Sequence, residues 1–144
     1  MVDVSELHEV TPDVVAAFAR LIPQLSTSAP TVTADDLAEM VASDASHVLV
    51  ATTDDGQIVG SLTLVVFRIP TGVRAWIEDV VVDEAVRGTG AGAALNRHAL
   101  ALARELGART VDLTSRPSRV AANQLYRKLG FSQRETNIYR HAGD

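Results

Sequence analysis

Apolar residues recur with a helical period in two segments near the start of the chain. The first segment begins at Thr11 and Pro12, where a capping residue precedes a proline at the first helical position, and its pattern ends at Pro23. The second begins after Thr33, with two aspartates in its first turn, where the helix dipole favours acids. Residues 3–10 are β-rich. The pattern therefore predicts one strand followed by two helices.

The middle of the chain changes to a strand-like pattern. Residues 47–53 and 57–67 are rich in β-branched side chains, and the residues Asp-Asp-Gly at 54–56 between them are typical of a hairpin turn. Residues 73–82, which contain the run WIEDVVV, predict a further strand. We therefore expect three consecutive strands, of which the first two form a hairpin.

A helical period returns in the segment that ends near residue 107. Its apolar positions are Leu95, Ala99, Leu102 and Leu106. Gly107 follows at the position of a left-handed C-terminal cap, and residues 110–114 predict a short buried strand.

The last part of the chain predicts one more helix and one more strand. Ser118 is placed to cap a helix over residues 119–129, Gly130 ends it, and Phe131 is expected to pack back on its last turn. Residues 136–140, TNIYR, are a candidate final strand. This order of elements predicts a mixed α/β sheet with helices on its faces.

Composition limits the class of protein. With 144 residues, 47% of them hydrophobic, the chain fits one domain over residues 1–144 with a substantial core. It has no cysteine, so disulfides and thiolate nucleophiles are excluded, and its four histidines show no ligand spacing, so no metal site is expected. No long apolar run or secretion signal is seen, and we expect a cytoplasmic protein without a membrane partner.

Charge is distributed unevenly along the chain. Residues 1–55 carry ten acids and one base, whereas residues 87–140 carry ten bases and three acids. A basic C-terminal part suits a polyanionic nucleotide, and an acidic N-terminal part suits a cationic substrate, although solvated helix faces would give the same counts. Nucleic acid is not expected as a partner, because aromatic residues are sparse and the net charge is −5.

Three glycines at alternate positions in RGTGAG, residues 87–92, need an explanation, since glycine loses more freedom on folding than other residues. A dinucleotide fingerprint fits formally through Gly88, Gly90 and Ala93, but DEAVR separates strand from loop and no second nucleotide-binding half follows. A loop whose backbone N–H groups converge on a pyrophosphate at a helix N-terminus, beside Arg87, fits better. A simple turn that starts a helix is the remaining alternative.

Residues from about 48 to 131 resemble the GCN5-related N-acetyltransferase (GNAT) superfamily, which transfers an acetyl group from acetyl-CoA to an amine. Its motif Arg/Gln-x-x-Gly-x-Gly/Ala is matched by Arg87, Gly90 and Gly92, and its second motif by Asn123, Tyr126 and the sequence KLGF at 128–131. The resemblance implies a single-domain fold whose mixed central sheet has about six to seven strands flanked by four helices.

The resemblance also implies an acetyl-CoA site built largely from backbone. The strand before the glycine loop parts from the next strand in that superfamily, and its free backbone groups pair with the pantetheine arm, with one N–H polarising the thioester carbonyl. The residues so implied are Val80, Val81 and Val82 of the strand, Arg87, Gly88, Thr89, Gly90, Ala91 and Gly92 of the loop, and Asn123 of the last helix.

Two side chains are candidates for acid and base chemistry. The resemblance implies that Tyr126 protonates the departing thiolate, since a phenol with a pKa of about 10 is still protonated at neutral pH; a core tyrosine on the helix flank is the alternative. Glu78 would take a proton from the attacking amine, directly or through water; pairing with Arg74 is the alternative. Glu78 and Asp79 should point to opposite faces of a regular strand, so at least one is expected to be buried.

The predicted function is an acetyl-CoA-dependent N-acetyltransferase in which a small-molecule or protein amine attacks directly in a ternary complex. A CoA-binding module without catalysis, serving as a sensor or partner domain, is the alternative. The run WIEDVVV resembles the corresponding strand of glucosamine-phosphate N-acetyltransferases, but the likeness covers one strand. Homodimers are common in the superfamily, so a second copy of the chain is a further candidate partner.

Overall fold

The computed structural model describes residues 1–143, which group into two compact units, residues 1–114 and residues 115–143. The first unit contains every strand of the sheet and three of the helices. Its elements, in chain order, are β1 (Val2–Glu6), α1 (Pro12–Leu25), α2 (Ala34–Ala42), β2 (Ser46–Thr53), β3 (Ile58–Ile69), β4 (Gly72–Val82), a 3-10 turn (Glu84–Val86), α3 (Ala91–Glu105) and β5 (Thr110–Asp112). The second unit contains α4 (Val120–Lys128).

The five strands lie in the order β1-β2-β3-β4-β5. All neighbours are antiparallel except β4 and β5, which are parallel, so the predicted mixed sheet with four helices is confirmed. The parallel pair arises because α3 lies between β4 and β5 in the sequence and forms the crossover connection that parallel strands need.

The expected count of six to seven strands is wrong. The missing strand is the one predicted at residues 136–140: this segment forms no helix or strand, and Ile138 and Tyr139 are 65% and 88% exposed. The prediction rested on β-propensity, which describes how a side chain fits a pleated, half-buried surface. Propensity does not supply the neighbouring strand that the backbone groups need.

The helix starts predicted for the first unit are confirmed. The Thr11 hydroxyl accepts a hydrogen bond from the N–H of Val14, and Thr33 forms a reciprocal capping box with Asp36. The end predicted for α1 at Pro23 is two residues short, because the helix continues through its proline to Leu25. Leu21, two residues before the proline, is fully buried and anchors this end of the helix.

The sheet carries helices on both faces. On one face, Val14 and Phe18 of α1 and Leu37 of α2 form a buried cluster with Val48 and Val50 of β2. On the other face α3 lies so close that a Cβ on Gly60 of β3 would stand 3.1 Å from Leu95. Burial on two sides explains why β2 and β3 each contain continuous buried runs rather than simple alternation.

Candidate active site

The pairing of β3 with β4 contains a bulge. Thr63 lies opposite Glu78 and Ser61 lies opposite Val81, so Asp79 and Val80 together face the single residue between Ser61 and Thr63. Asp79 has a φ of 50°, which is the left-handed region that a non-glycine residue rarely adopts. Such bulges re-aim the backbone and are frequent beside active sites.

The other edge of β4 loses its partner just before the bulge. β5 pairs with β4 only from Arg74 to Trp76, and no residue of β5 pairs with the segment 77–82. The backbone groups that would have bonded to β5 therefore need another partner, since buried N–H and C=O groups are almost always bonded. Val80, Val81 and Val82 lie in this segment, whose edge toward β5 is unpaired although its other edge follows β3.

The glycine loop follows β4 after the 3-10 turn and starts α3. Gly90 is the N-cap residue of α3 with a φ of 90°, and the space around a Cβ at this position is open. Glycine is therefore required here by the backbone angle and not by close packing. Gly92 lies within the first turn of α3, so only two of the three glycines, Gly88 and Gly90, have positive φ.

The N-terminus of α3 offers unused donors. The first intrahelical bond that reaches the loop runs from the N–H of Ala94 to the carbonyl of Gly90 at 3.0 Å. Within residues 1–143, the N–H groups of Ala91, Gly92 and Ala93 have no backbone acceptor. With the positive end of the helix dipole, these groups make a site suited to a phosphate.

Arg87 and Thr89 complete the loop. The Arg87 guanidinium is more than half exposed and lies 3.9 Å from a carboxylate oxygen of Glu84, a contact that leaves it available to an anion. The Thr89 hydroxyl donates to the carbonyl of Val86 at 2.6 Å, which closes the turn before α3.

Two side chains of α1 hold the connection between β4 and the loop, and the sequence reasoning missed them. Arg20 donates to a carboxylate oxygen of Asp83 at 3.2 Å and to the carbonyl of Ile58 at 2.5 Å, and Gln24 accepts from the N–H of Glu84 at 2.9 Å. The N–H of Ala85, together with Arg20, holds the pKa of Asp83 below its usual value. The available signal was that Arg20 is the single base in residues 1–55.

Glu78 and Asp79 are both exposed, so the expectation that at least one is buried is wrong. The expectation assumed a regular strand, and the bulge at Asp79 breaks the alternation on which it depended. The alternative pairing with Arg74 is also absent: among residues 1–143, Glu78 forms no ion pair.

In the second unit, Tyr126 lies on α4 and is 8% exposed. Burial raises the pKa of its phenol, and the Arg119 guanidinium opposes this effect. The N–H of Phe131 donates to the carbonyl of Tyr126 at 2.9 Å, and the two rings meet edge to face with centroids 5.7 Å apart. Phe131 thus packs back on the last turn as predicted, and it fixes the ring of Tyr126.

Asn123 lies one turn before Tyr126 and braces the start of α4. Its Nδ2 donates to the carbonyl of Arg116 at 3.0 Å. The predicted cap at Ser118 is wrong, because the helix begins at Val120 and Arg119 is the N-cap residue without a side-chain bond. The amide of Asn123 instead ties α4 to the segment before it and leaves the N–H groups of the first turn without a side-chain cap.

The predicted site residues thus fall into two groups. Glu78, Val80–Val82 and the loop Arg87–Gly92 lie at the C-terminal end of β4 and the start of α3 in the first unit. Asn123 and Tyr126 lie together on α4 in the second unit.

A family model described as the acetyltransferase (GNAT) family matches residues 14–131. The chain belongs to the GNAT family of acetyltransferases. The resemblance first seen in the glycine loop and the α4 motif is therefore confirmed, and GNAT membership makes the chain an acyltransferase.

Solved structures with this GNAT fold cover nearly the whole chain. A putative acetyltransferase from Agrobacterium tumefaciens str. C58 is 26% identical, with 97% of this chain and 99% of that chain covered and a TM-score of 0.85. An acetyltransferase from Trypanosoma brucei is also 26% identical, with 99% and 100% covered and a TM-score of 0.79. Glucosamine-6-phosphate N-acetyltransferase from Arabidopsis thaliana is 21% identical, with 98% of each chain covered and a TM-score of 0.82.

A comparison with curated proteins gives no match. In the part of the chain that the structure describes, no cluster of three or more His, Cys, Asp or Glu side chains is arranged to hold a metal ion. None of the described helices has the length and apolar character needed to cross a membrane.

Proposed function

We propose that this GNAT protein transfers the acetyl group of acetyl-CoA to a primary amine, which attacks directly in a ternary complex. The observation that carries the proposal is the end of β4, where a bulge and an unpaired edge immediately precede a glycine loop with free N–H groups. We also propose that both compact units belong to one catalytic domain over residues 1–144, because the family model runs through both of them.

Acetyl-CoA would be held mainly by backbone groups. The pyrophosphate fits the loop over residues 88–92 and the start of α3, where the N–H groups of Ala91, Gly92 and Ala93 are free and Arg87 supplies a cation, with Thr89 fixing the turn. The pantetheine arm fits the unpaired edge of Val80–Val82, where it would bond as a strand does. Asn123 would contribute to the cofactor site indirectly, because its side-chain amide binds the carbonyl of Arg116 and holds α4 in place.

Tyr126 is proposed as the acid. A buried phenol with a raised pKa is fully protonated at neutral pH, so it can donate its proton as the thiolate leaves. The ring contact with Phe131 holds the phenol in one orientation, which a positioned proton donor requires.

Glu78 is proposed as the base. An alkylammonium with a pKa of about 10.4 must lose a proton before it attacks, and the carboxylate beside the bulge would receive that proton directly or through a water molecule. Its exposure and its lack of an ion pair among residues 1–143 leave it free for this role.

The proposal is tested by incubating the purified chain with acetyl-CoA and a panel of primary amines while following the release of free CoA with a thiol reagent. The chain has no cysteine, so every thiol detected is CoA. Substitution Tyr126→Phe should lower kcat about a hundredfold, the usual contribution of a positioned general acid. The matched control is Tyr139→Phe at the only other tyrosine, which is 88% exposed.

Two outcomes would contradict the proposal. Equal rates for the two tyrosine variants would remove Tyr126 from the chemistry. Binding of acetyl-CoA without thiol release for any amine would instead favour the CoA-binding sensor or partner module.

A further inference from the structure

One face of the β4 strand carries an ordered series of side chains beside the proposed reaction centre. Ala75 and Ile77 are buried toward α3, so Arg74, Trp76 and Glu78 point to the opposite face, which is less buried. The register places Asp112 of β5 directly beside Trp76. Laterally paired side chains share a face, so Asp112 lies on the same side of the sheet as Trp76 and Glu78.

This face is continuous with the one that α1 and α2 cover farther along the sheet. Glu78 pairs with Thr63 and Thr63 pairs with Val48, which belongs to the cluster under those two helices. Around Trp76, however, the paired residues Val65 and Asp112 are only half-buried. In the first unit the helices therefore leave this part of the sheet open beside Glu78.

The two carboxylates of this open face have no cationic partner in direct contact. Among residues 1–143, neither Glu78 nor Asp112 forms an ion pair. Trp76 is the only tryptophan of the chain and is half-buried, with Asp112 beside it on β5 and Glu78 two residues along β4. A half-exposed indole flanked by carboxylates attracts an ammonium group through its face and through the charges. Arg74, the next residue of the series, is a cation and ends the acidic part of the face.

We infer that Trp76 and Asp112 select an acceptor that carries a second cationic group besides the amine that reacts. The inference rests on the proposed function, because it takes Glu78 to mark the position of the reacting amine. From a rise of about 3.3 Å per residue and a strand spacing of about 4.8 Å, the α-carbons of Glu78 and Asp112 are about 8 Å apart. The two nitrogens of the acceptor should lie at a similar distance from each other, beside the indole.

The test compares linear diamines with monoamines of the same length. The pairs are 1,5-diaminopentane with 1-aminopentane and 1,6-diaminohexane with 1-aminohexane, all assayed with acetyl-CoA. A charge-assisted bond to Asp112 should favour each diamine over its monoamine about tenfold in kcat/KM. Asp112→Asn should remove this preference by raising KM for the diamines, with the monoamines unchanged.

Asp54→Asn is the matched control. Asp54 is exposed in the turn between β2 and β3, so its loss changes net charge equally without touching the face. An equal loss of diamine activity in both variants would show that only net charge matters, and it would overturn the inference. A preference that survives in Asp112→Asn would overturn it as well.

A binding measurement separates this inference from the proposed function. Because Trp76 is the only tryptophan, intrinsic fluorescence reports on it alone, and we expect 1,5-diaminopentane to change the emission with CoA present. Transfer to monoamines without diamine preference or fluorescence change would overturn the inference and leave the proposed function standing. A fluorescence change that depends on Asp112, without transfer to any amine, would support the dication site and overturn the proposed function.

Discussion

The left-handed conformation of Asp79 leads to a prediction whose sign depends on the backbone. Asp79 has a φ of 50° within β4, whereas Asp3, also exposed in a strand, is not among the residues with positive φ. The same substitution at these two aspartates should therefore have opposite effects on the free energy of unfolding. The two positions share residue type, exposure and secondary structure, so the comparison isolates the backbone angle.

The magnitude follows from two opposing contributions. Removing the side chain from a left-handed residue relieves strain of about 1–2 kcal/mol, while the added freedom of glycine in the unfolded chain costs about 0.5–1 kcal/mol. Asp79→Gly should thus stabilise the protein by about 0.5 kcal/mol, and Asp3→Gly should destabilise it by about 1 kcal/mol. The difference between the two variants should be about 1.5 kcal/mol.

Substitution by valine should separate the stabilities of the two positions further. A β-branched side chain is strongly disfavoured at positive φ but suits an ordinary strand, so Asp79→Val should be destabilising and Asp3→Val close to neutral. Because the bulge presents the backbone of Val80, Asp79→Val should also lower kcat for acetyl transfer, and Asp3→Val should not.

Urea unfolding at equilibrium measures all four variants, provided that the slopes of the transitions agree with that of the unsubstituted protein. The reasoning would be refuted if Asp79→Gly and Asp3→Gly lost equal stability. A variant Asp79→Val as stable as the unsubstituted protein would mean that β4 has no left-handed residue at this position.

Three further predictions concern other parts of the first unit. Gly90→Ala and Gly107→Ala each place a side chain at positive φ in open space, so each should lower the free energy of unfolding by about 1 kcal/mol. Calorimetric titration should show weaker acetyl-CoA binding only for Gly90→Ala. Equal weakening in both variants would mean that the glycine loop is not part of the acetyl-CoA site. Asn96 is 1% exposed and its Oδ1 has no hydrogen-bond partner among the described residues, so Asn96→Leu should raise the free energy of unfolding, measured in urea, by about 1 kcal/mol. A lower free energy of unfolding would mean that the bond from Asn96 to the carbonyl of Gly92 outweighs the unpaired oxygen. The pKa of Asp83 is lowered in the folded protein, so its carboxylate stabilises the fold above the ordinary carboxyl pKa, and this stability is lost as the pH falls through the pKa of the folded state. Asp83→Asn should therefore lower the urea midpoint at pH 7, and the difference in midpoint from the unsubstituted protein should shrink in acid. A difference that does not change with pH would mean that the carboxylate charge does not contribute.

The sequence predicts most of the local structure that depends on neighbours in the chain, and the cap at Ser118 is an exception. The caps at Thr11 and Thr33, the end of α3 at Gly107 and the return of Phe131 on α4 each involve residues within a few positions of one another. The GNAT motifs are of the same kind, since they lie in continuous stretches around Arg87 and Tyr126.

Features that depend on pairing between distant segments were not predicted. The bulge at Asp79 exists only relative to the register of β3, and no residue pattern within WIEDVVV distinguishes it from a regular strand. The missing final strand is the converse case, because TNIYR has the propensity without a partner. The contact of Arg20 with Asp83 joins residues 63 positions apart, which no local pattern encodes.

These unpredicted features act on the same few residues and have complementary effects. Arg20 and Gln24 fix the backbone just after β4 from α1, while the bulge turns the backbone just before that point and β5 leaves the outer edge unpaired. A strand end that is fixed on one side and unpaired on the other keeps its free N–H and C=O groups in a constant position, which lowers the ordering cost when a ligand binds as an added strand. The rigidity of the proposed acetyl-CoA site would therefore come from α1, a helix that carries none of the GNAT motif residues.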